Sequence, residues 1–328
     1  MRAALYSRNG PARDVLQVTD LPTPEPAPGE VRVKLAVSGV NPSDVKSRAG
    51  SRPVTQGFVV PHSDGAGVID RVGSGVAQGR VGERVWIWNG QWQRPMGTAA
   101  GYIVLPAAQA VPLPGGVSFE AGACMGIPGL TAMRGVMLLG DLAGKTVLVT
   151  GGASGVGYYA AQMARLRGAR VITTVGSVEK AGVLEKAGIA DNILYKQESV
   201  PDRLLEMTGG RGVDAIVDMD FSTTAALVPA GAVAPHGVIA VYGSNQRGDI
   251  PLNFGAWLPR SLSLHFYLVY DLLPEQRRQT VDALDALLRG NELSHLVAPA
   301  YPLDDIAGAH EAVESGRIVG NVVVALPA

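Results

Sequence analysis

Cysteine is almost missing from this chain: of 328 residues, only Cys124 is a cysteine. An internal disulfide and a cysteine-built structural zinc site are therefore excluded, and a reducing, cytoplasmic compartment is expected. Charge is also scarce. Asp, Glu, Lys and Arg make up 17% of the residues, and 28 basic against 29 acidic side chains leave a formal net charge of −1. Without a basic patch or a run of like charges, neither a nucleic acid nor an anionic membrane surface is expected as a partner. No apolar run reaches the ~18 residues of a membrane-spanning helix. The opening "MRAALYSRNG" shows no apolar core of a secretory signal. Disorder is excluded as well, since 47% of the chain is apolar.

Glycine is plentiful, with 42 residues, and so is proline, with 22. Up to about residue 120 these punctuate short apolar runs. "EVRVKLAV" alternates Val31, Val33, Leu35 and Val37 with Arg32, Lys34 and Ala36, the period of a half-buried strand. "GVIDRVG", "ERVWIW" and "GYIVL" read as further strands of a barrel-like β domain, and "LPTPEPAPGE" reads as a loop. The pattern then changes. "SFEAGACMGIPGLTAMRGVML" reads as helix interrupted at Pro128. Strands at 146–150, 170–175, 192–195, 213–219 and 237–243 alternate with helices at 156–167, 177–187, 199–208 and 223–230. Such βαβ alternation predicts a doubly wound parallel sheet, an α/β fold. A last strand at 261–270, a helix at 274–289, a helix at 304–315 and a final strand "NVVVAL" close the chain.

The chemistry centres on "VLVTGGASGVGYYAAQMARLRG". A β-branched run leads into glycines and then into an alanine-rich helical run. This is the first strand-to-helix turn of the α/β part, where a pyrophosphate rests on a helix N-terminus. Gly152, Gly155 and Gly157 align with a glycine fingerprint, but Ser154 stands where its middle glycine would be. An NAD site ordinarily has an acid about 20 residues on, at the end of the second strand. Here that stretch is Thr174, Val175, Gly176 and Ser177, and the first carboxylate is Glu179 in the following helix. Ser177 and Lys180 instead suit a 2′-phosphate, so NADPH is the expected cofactor.

The stretches "VSGVNPSDVKSRAG", "VPHSDGAGVIDRVGSGV", "GACMGIPGLTAMRGV", "VLVTGGASGVG" and "TTVGSVEKAGVLEKAGI" resemble, in order and over nearly the full length, the medium-chain dehydrogenase/reductase superfamily. Within it they are similar to the zinc-free quinone oxidoreductases, the zeta-crystallin-like branch. The resemblance implies a Rossmann fold joined to a GroES-like β-barrel catalytic domain. It places the catalytic domain at residues 1–121 and 269–328, the NADP-binding domain at 122–268, and a ligand cleft between them. Zinc-dependent relatives carry a cysteine at Asn41 and a histidine at Ser63, so no metal is expected. His62, one position away, reads as structural.

By the same resemblance, Asn41 lies beside nicotinamide and substrate, and Asp44 supports its loop. Thr131 approaches the cofactor. Ser154, Gly155, Val156 and Gly157 hold the pyrophosphate, and Ser177, Lys180 and Tyr195 form the 2′-phosphate pocket. Gly243 and Ser244 flank the nicotinamide ribose, while Phe266 and Leu268 edge its ring. Asn321 stands where relatives often have a basic cofactor contact. The implied activity is NADPH-dependent, metal-free hydride transfer to a quinone, with Asn41 polarising the acceptor. Reduction of activated C=C bonds in enones or alkenals is the nearest alternative. A non-enzymatic, crystallin-like NADPH-binding protein is the alternative from another class.

Four residues outside these motifs also invite a reading. Trp86 and Trp88 read as core, Trp92 as a wall of the substrate cleft, and Cys124 as a small buried residue rather than a nucleophile. In "SLSLHFYLVY", Leu262, Leu264, Phe266 and Leu268 would share one face of an edge strand, which predicts a homodimer formed through residues 261–270.

Overall fold

The computed structural model describes residues 1–327. It comprises two compact units, Met1–Pro128 together with the chain from Leu288 onward, and Gly129–Leu287. The sequence pattern draws these borders at 121/122 and 268/269. Contacts carry the first to 128/129, because Ile127 donates its N–H to Asp64 at 3.0 Å and so belongs with the barrel strands. They carry the second into the long helix, whose start is tied back to Val269 by Arg277.

The first unit is built on a seven-stranded, mostly antiparallel sheet. Its centre is Glu30–Val40, an 11-residue strand long enough to serve three neighbours. One edge pairs with Asp64–Val72. The other edge is shared: residues 30–34 face Tyr102–Pro106, and residues 37–40 face Val322–Ala325. Val31, Val33, Leu35, Ile69, Val85, Ile87, Ile103 and Leu105 form the core beneath it. The alternation expected of this strand fails at Arg32, which is buried rather than solvated. Three hydrogen bonds from its guanidinium to Asp70 and one to Glu25 compensate the charge.

The second unit is a six-stranded parallel sheet in the order 191–194, 170–175, 146–149, 213–218, 233–241, 263–266. The chain winds outward in both directions from Thr146–Val149. The neighbouring ends of Thr146–Val149 and Val213–Asp218 are thus the switch point, where α/β sheets bind ligands. Around Pro128 the expected helical stretch is broken into Phe119–Gly122, a wide turn Met125–Gly129, and Leu130–Leu138. Ser118 caps the first piece through Ala121 N–H at 3.2 Å.

The last strand differs from expectation. Only Ser263–Phe266 pairs, parallel to residues 238–241. Ser261 has φ +50°, which bends the chain before it, and Val269–Asp271 forms a tight 3-10 turn after it. Leu262 and Leu264 pack on the unit's own core. Leu268 lies beyond the strand, so the four residues do not form one strand face. Phe254, Leu258, Phe266 and Leu268 are nevertheless exposed by half or more, and the outer edge of Ser263–Phe266 pairs with nothing among the described residues. An unprotected apolar edge favours pairing with a copy of itself. Light scattering at micromolar concentration is expected to give twice the chain mass; a monomer would rule this out.

Candidate functional site

In the second unit, the glycine turn is shaped by close approach. Gly151 is left-handed, at φ +66°. A Cβ on Gly157 would overlap the Gly151 carbonyl, so the turn folds tightly over the start of the helix Gly155–Leu166. Ser154 is the N-cap of that helix, its Oγ accepting from Gly157 N–H at 3.1 Å. The serine that breaks the fingerprint is thus a cap, and the first-turn N–H groups at Gly155 and Val156 present an anion site. The turn is tied to the second strand, since Gly151 N–H donates to Thr174 Oγ1 and Gly152 N–H to the Thr174 carbonyl, each at 3.0 Å.

Beyond the ends of Val233–Val241 and Ser263–Phe266 lies a cavity of about 400 Å³. Gly243, Ser244, Phe266 and Leu268 all line it, with Tyr242 and Tyr267. Tyr242 hydrogen-bonds Ser154 of the glycine turn. Tyr267 donates to the Thr131 carbonyl at 2.8 Å. Thr131 Oγ1 and Ser244 Oγ are both buried and lack partners among the described residues. Native structures rarely leave buried hydroxyls unpaired. Asp220 fixes the loop that follows Ser244, accepting from Asn245 N–H and Nδ2, each at 2.8 Å. Asp218, at the switch point, is buried and its carboxyl is pushed up to about 6 by burial, against hydrogen bonds from Asp220 N–H, Thr224 and Thr150.

At the end of the second strand, Ser177 caps the helix Val178–Lys186 and accepts from Lys180 N–H at 3.3 Å. This places Lys180 in the first helical turn. A Cβ on Gly176 would lie 3.1 Å from Tyr195 Oη and 3.5 Å from Lys196 Cε. Gly176, Ser177, Lys180 and Tyr195 are therefore neighbours, and Lys196 joins them as a second cation. The sequence reading passes over Lys196; its one signal is its place next to Tyr195.

In the first unit, Asn41 precedes the short helix Pro42–Lys46 and is 5% exposed. Its backbone N–H donates to Asp44 Oδ2 and its Nδ2 to Asp64 Oδ2, each at 2.8 Å. Asp64 Oδ2 also accepts from Ile127 N–H at 3.0 Å, while its Oδ1 is buried without a partner among the described residues. One amide hydrogen of Asn41 is thus spent inside the protein. Burial pushes the Asp44 carboxyl up to about 7, despite hydrogen bonds from the Asn41 backbone and side chain and the nearby Arg52 charge. Burial raises Asp64 further, and the Asp44 charge adds to it. The two acids are electrostatically coupled, and one of them keeps a proton near neutrality. Asp64 marks only the zinc-site register in the sequence; its grip on Asn41 emerges from the fold.

His62 is wholly buried and left-handed, at φ +77°. Thr98 donates its hydroxyl to the Asp64 carbonyl, so Ser38, 2.8 Å away, must donate to Thr98. Ser38 can then only accept from His62 Nδ1, also at 2.8 Å. His62 Nε2 accordingly accepts from His310 Nε2 at 2.9 Å, leaving His310 Nδ1 a buried acceptor without a partner. Burial holds both imidazoles neutral, and both ring nitrogens of His62 are occupied. Ser63 N–H is engaged with Asp44. Among the described residues, no group of three or more His, Cys, Asp or Glu side chains is placed to hold a metal ion.

Trp86 is fully buried and Trp88 partly so. Trp92 is half-buried and carries the Arg52 guanidinium over its ring, 4.4 Å from the centroid. Cys124 is buried, its thiol pushed up by burial, with Sγ donating to the Glu120 carbonyl at 3.2 Å. Asn321 is buried and ties the chain locally, Nδ2 donating to the Leu296 carbonyl at 3.1 Å.

A parallel sheet with a glycine turn at its switch point, joined to a barrel bearing a buried Asn–Asp cluster, defines the class of a dinucleotide-dependent dehydrogenase or reductase. Comparison with known proteins agrees. Residues 27–115 match the alcohol dehydrogenase GroES-like domain and residues 155–286 the zinc-binding dehydrogenase family. The quinone oxidoreductase of Pseudomonas aeruginosa is 31% identical over 316 residues, covering 95% of each chain. A solved NAD-dependent alcohol dehydrogenase is 33% identical with a TM-score of 0.88, covering all of both chains. Escherichia coli quinone oxidoreductase, solved in complex with NADPH, is 26% identical with a TM-score of 0.85, covering 99% of this chain and all of that one. The chain belongs to the medium-chain dehydrogenase/reductase superfamily, in its quinone oxidoreductase branch.

Proposed function

We propose that this protein is an NADPH-dependent, metal-independent reductase whose hydride acceptors are quinones. The observation that carries the reading is the pair of buried, unpartnered hydroxyls, Thr131 Oγ1 and Ser244 Oγ, on the same unit as the glycine turn. A bound dinucleotide supplies the partners that the protein lacks. Gly155 and Val156 would hold its pyrophosphate, Ser177, Lys180, Tyr195 and Lys196 its 2′-phosphate, and the cavity lined by Gly243, Ser244, Phe266 and Leu268 its nicotinamide end. The cofactor supplies a hydride. The protein's part is placement: tight glycine packing, capped helices and an apolar wall for the nicotinamide end. In the first unit, Asp44 and Asp64 fix Asn41 so that its remaining polar capacity points one way.

Oxidation of NADPH and NADH, followed with a panel of quinones and α,β-unsaturated ketones, tests this. Turnover with quinones is expected; turnover confined to enones would move the assignment to C=C reduction, and none with any acceptor would favour a binding protein. Asn41 and Ser63 stand at the two zinc positions, so activity is expected to survive prolonged chelation, with substoichiometric zinc by metal analysis. Chelator-sensitive turnover with one zinc per chain would overturn metal independence.

A further inference from the structure

One short turn of the second unit touches both ends of the candidate dinucleotide site. Residues 218–221 lead from the strand Val213–Asp218 into the short helix Phe221–Thr224. On one side they grip the glycine turn. Asp218 Oδ1 accepts from Thr150 Oγ1 at 3.2 Å, and Met219 N–H donates to the same hydroxyl oxygen at 2.8 Å. Met219 also lies over Gly151, where an added Cβ would overlap its sulfur. On the other side they grip the chain that leaves the strand Val233–Val241. Tyr242 N–H donates to the Asp218 carbonyl at 3.0 Å, and Phe221 N–H donates to the Gly243 carbonyl at 3.1 Å. Asp220 closes the arrangement, its Oδ1 accepting from Asn245 N–H and its Oδ2 from Asn245 Nδ2, each at 2.8 Å. The hydroxyls of Ser222 and Thr223 donate to the same carboxylate and set its orientation. Phe221 itself lines the cavity, edge-on to Phe266 with the ring centroids 5.2 Å apart.

We propose that Asp220 is a positioning residue for the nicotinamide half of the cofactor: through Asn245 it holds Ser244 at the ribose, while Asp218 ties the same turn to the pyrophosphate end. The inference rests on the NADPH reading above and deepens it. From residue 242 to 253 the chain forms neither helix nor strand, so no ladder fixes Ser244. Its two neighbours are fixed instead, Gly243 by Phe221 and Asn245 by Asp220. Between them the Ser244 hydroxyl is buried and has no partner among the described residues. The backbone is thus held while the one group a ligand needs is left over. Hydrogen bonds to a carboxylate are the strong kind, and a loop ordered before binding costs no ordering when the ligand arrives. No group of Asp220 touches the glycine turn, so its effect is confined to the nicotinamide end.

Calorimetric titration separates the two ends without turnover. The probe 2′,5′-ADP carries the adenine half and the 2′-phosphate but no nicotinamide, whereas NADPH and NADH carry both halves. Asp220→Ala is expected to raise the Kd of NADPH at least about tenfold, the scale of one charge-assisted hydrogen bond, and to raise that of NADH by the same factor. The Kd of 2′,5′-ADP should keep its wild-type value, which a merely structural role would not allow. Asp220→Asn retains one acceptor oxygen and should keep part of the affinity. Asn245→Ala removes only the Nδ2 bond and should lose less than Asp220→Ala, and the double variant should lose no more than Asp220→Ala alone, because both changes cut the same bonds. Should Asp220→Ala prove unfolded, Asn245→Ala carries the test, since that side chain is exposed; weaker NADPH with unchanged 2′,5′-ADP supports the inference. An unchanged Kd for NADPH, equal weakening of 2′,5′-ADP and NADPH, or additive losses in the double variant would overturn it. A selective loss at the nicotinamide half supports it even if no acceptor is reduced, which would sink the reductase reading alone. A wild type that binds neither NADPH nor 2′,5′-ADP overturns both.

Discussion

Lys180→Ala is expected to lower kcat/KM for NADPH by at least tenfold and to leave NADH nearly untouched. The wild type should prefer NADPH by the same margin or more. No acid stands at Val175 or Gly176, where a carboxylate would bind the ribose diol and repel a 2′-phosphate. Ser177 and Lys180 open the next helix, and Tyr195 and Lys196 close over Gly176 from the neighbouring strand end. Each charge-assisted contact is worth roughly 1.5–3 kcal/mol, or about ten- to hundredfold. Because Lys196 is a second cation on the same glycine, the double variant Lys180→Ala/Lys196→Ala should lose more than either single one. Initial rates with both cofactors at a fixed acceptor decide the matter. Equal use of NADH and NADPH by the wild type, or equal losses in Lys180→Ala, would show that no 2′-phosphate is read here.

Asp64→Ala should damage both stability and turnover. It strips the acceptor from Asn41 Nδ2 and Ile127 N–H in a fully buried place. Two orphaned donors cost about 1–3 kcal/mol each. A fall in melting temperature of at least about 4 °C follows from roughly 2–4 °C per kcal/mol in larger domains. Freed from Asp64, the Asn41 amide no longer holds one orientation. Turnover per folded molecule should drop roughly hundredfold, the cost of an ångström-scale misplacement. Asp64→Asn keeps one acceptor oxygen and should be milder. It also carries a pH signature. A carboxyl whose folded pKa is raised holds its full stability below its unfolded pKa of about 4 and loses it as pH rises toward the folded value. The asparagine variant does not pay that cost, so its stability relative to wild type should improve from pH 5 to pH 8. Urea unfolding at the two pH values measures it; an asparagine variant that loses further ground to wild type between pH 5 and pH 8 would contradict the raised Asp64.

Much of this protein is legible in its sequence because local rules fix it. The β-branched run, the glycines and the alanine-rich run define strand, turn and helix at 146–166, and the period-2 pattern at 30–40 defines the central barrel strand. The absence of an acid at 174–178 is likewise a local fact. What depends on long-range contact is not legible. Arg32 reads as a solvated strand residue until Asp70, 38 positions away, is found beside it. The strand expected over 261–270 shortens to Ser263–Phe266, and just beyond it the Tyr267 hydroxyl bonds the Thr131 carbonyl, 136 residues earlier. The sequence by itself determined the fold class, the glycine turn and the family. Only the tertiary structure decided that Asp64 holds Asn41, that His310, His62, Ser38 and Thr98 form a chain of donors, and that Arg52 lies on Trp92. Those pairings join residues tens to hundreds of positions apart, and burial, which no local pattern specifies, decides which of them carry charge.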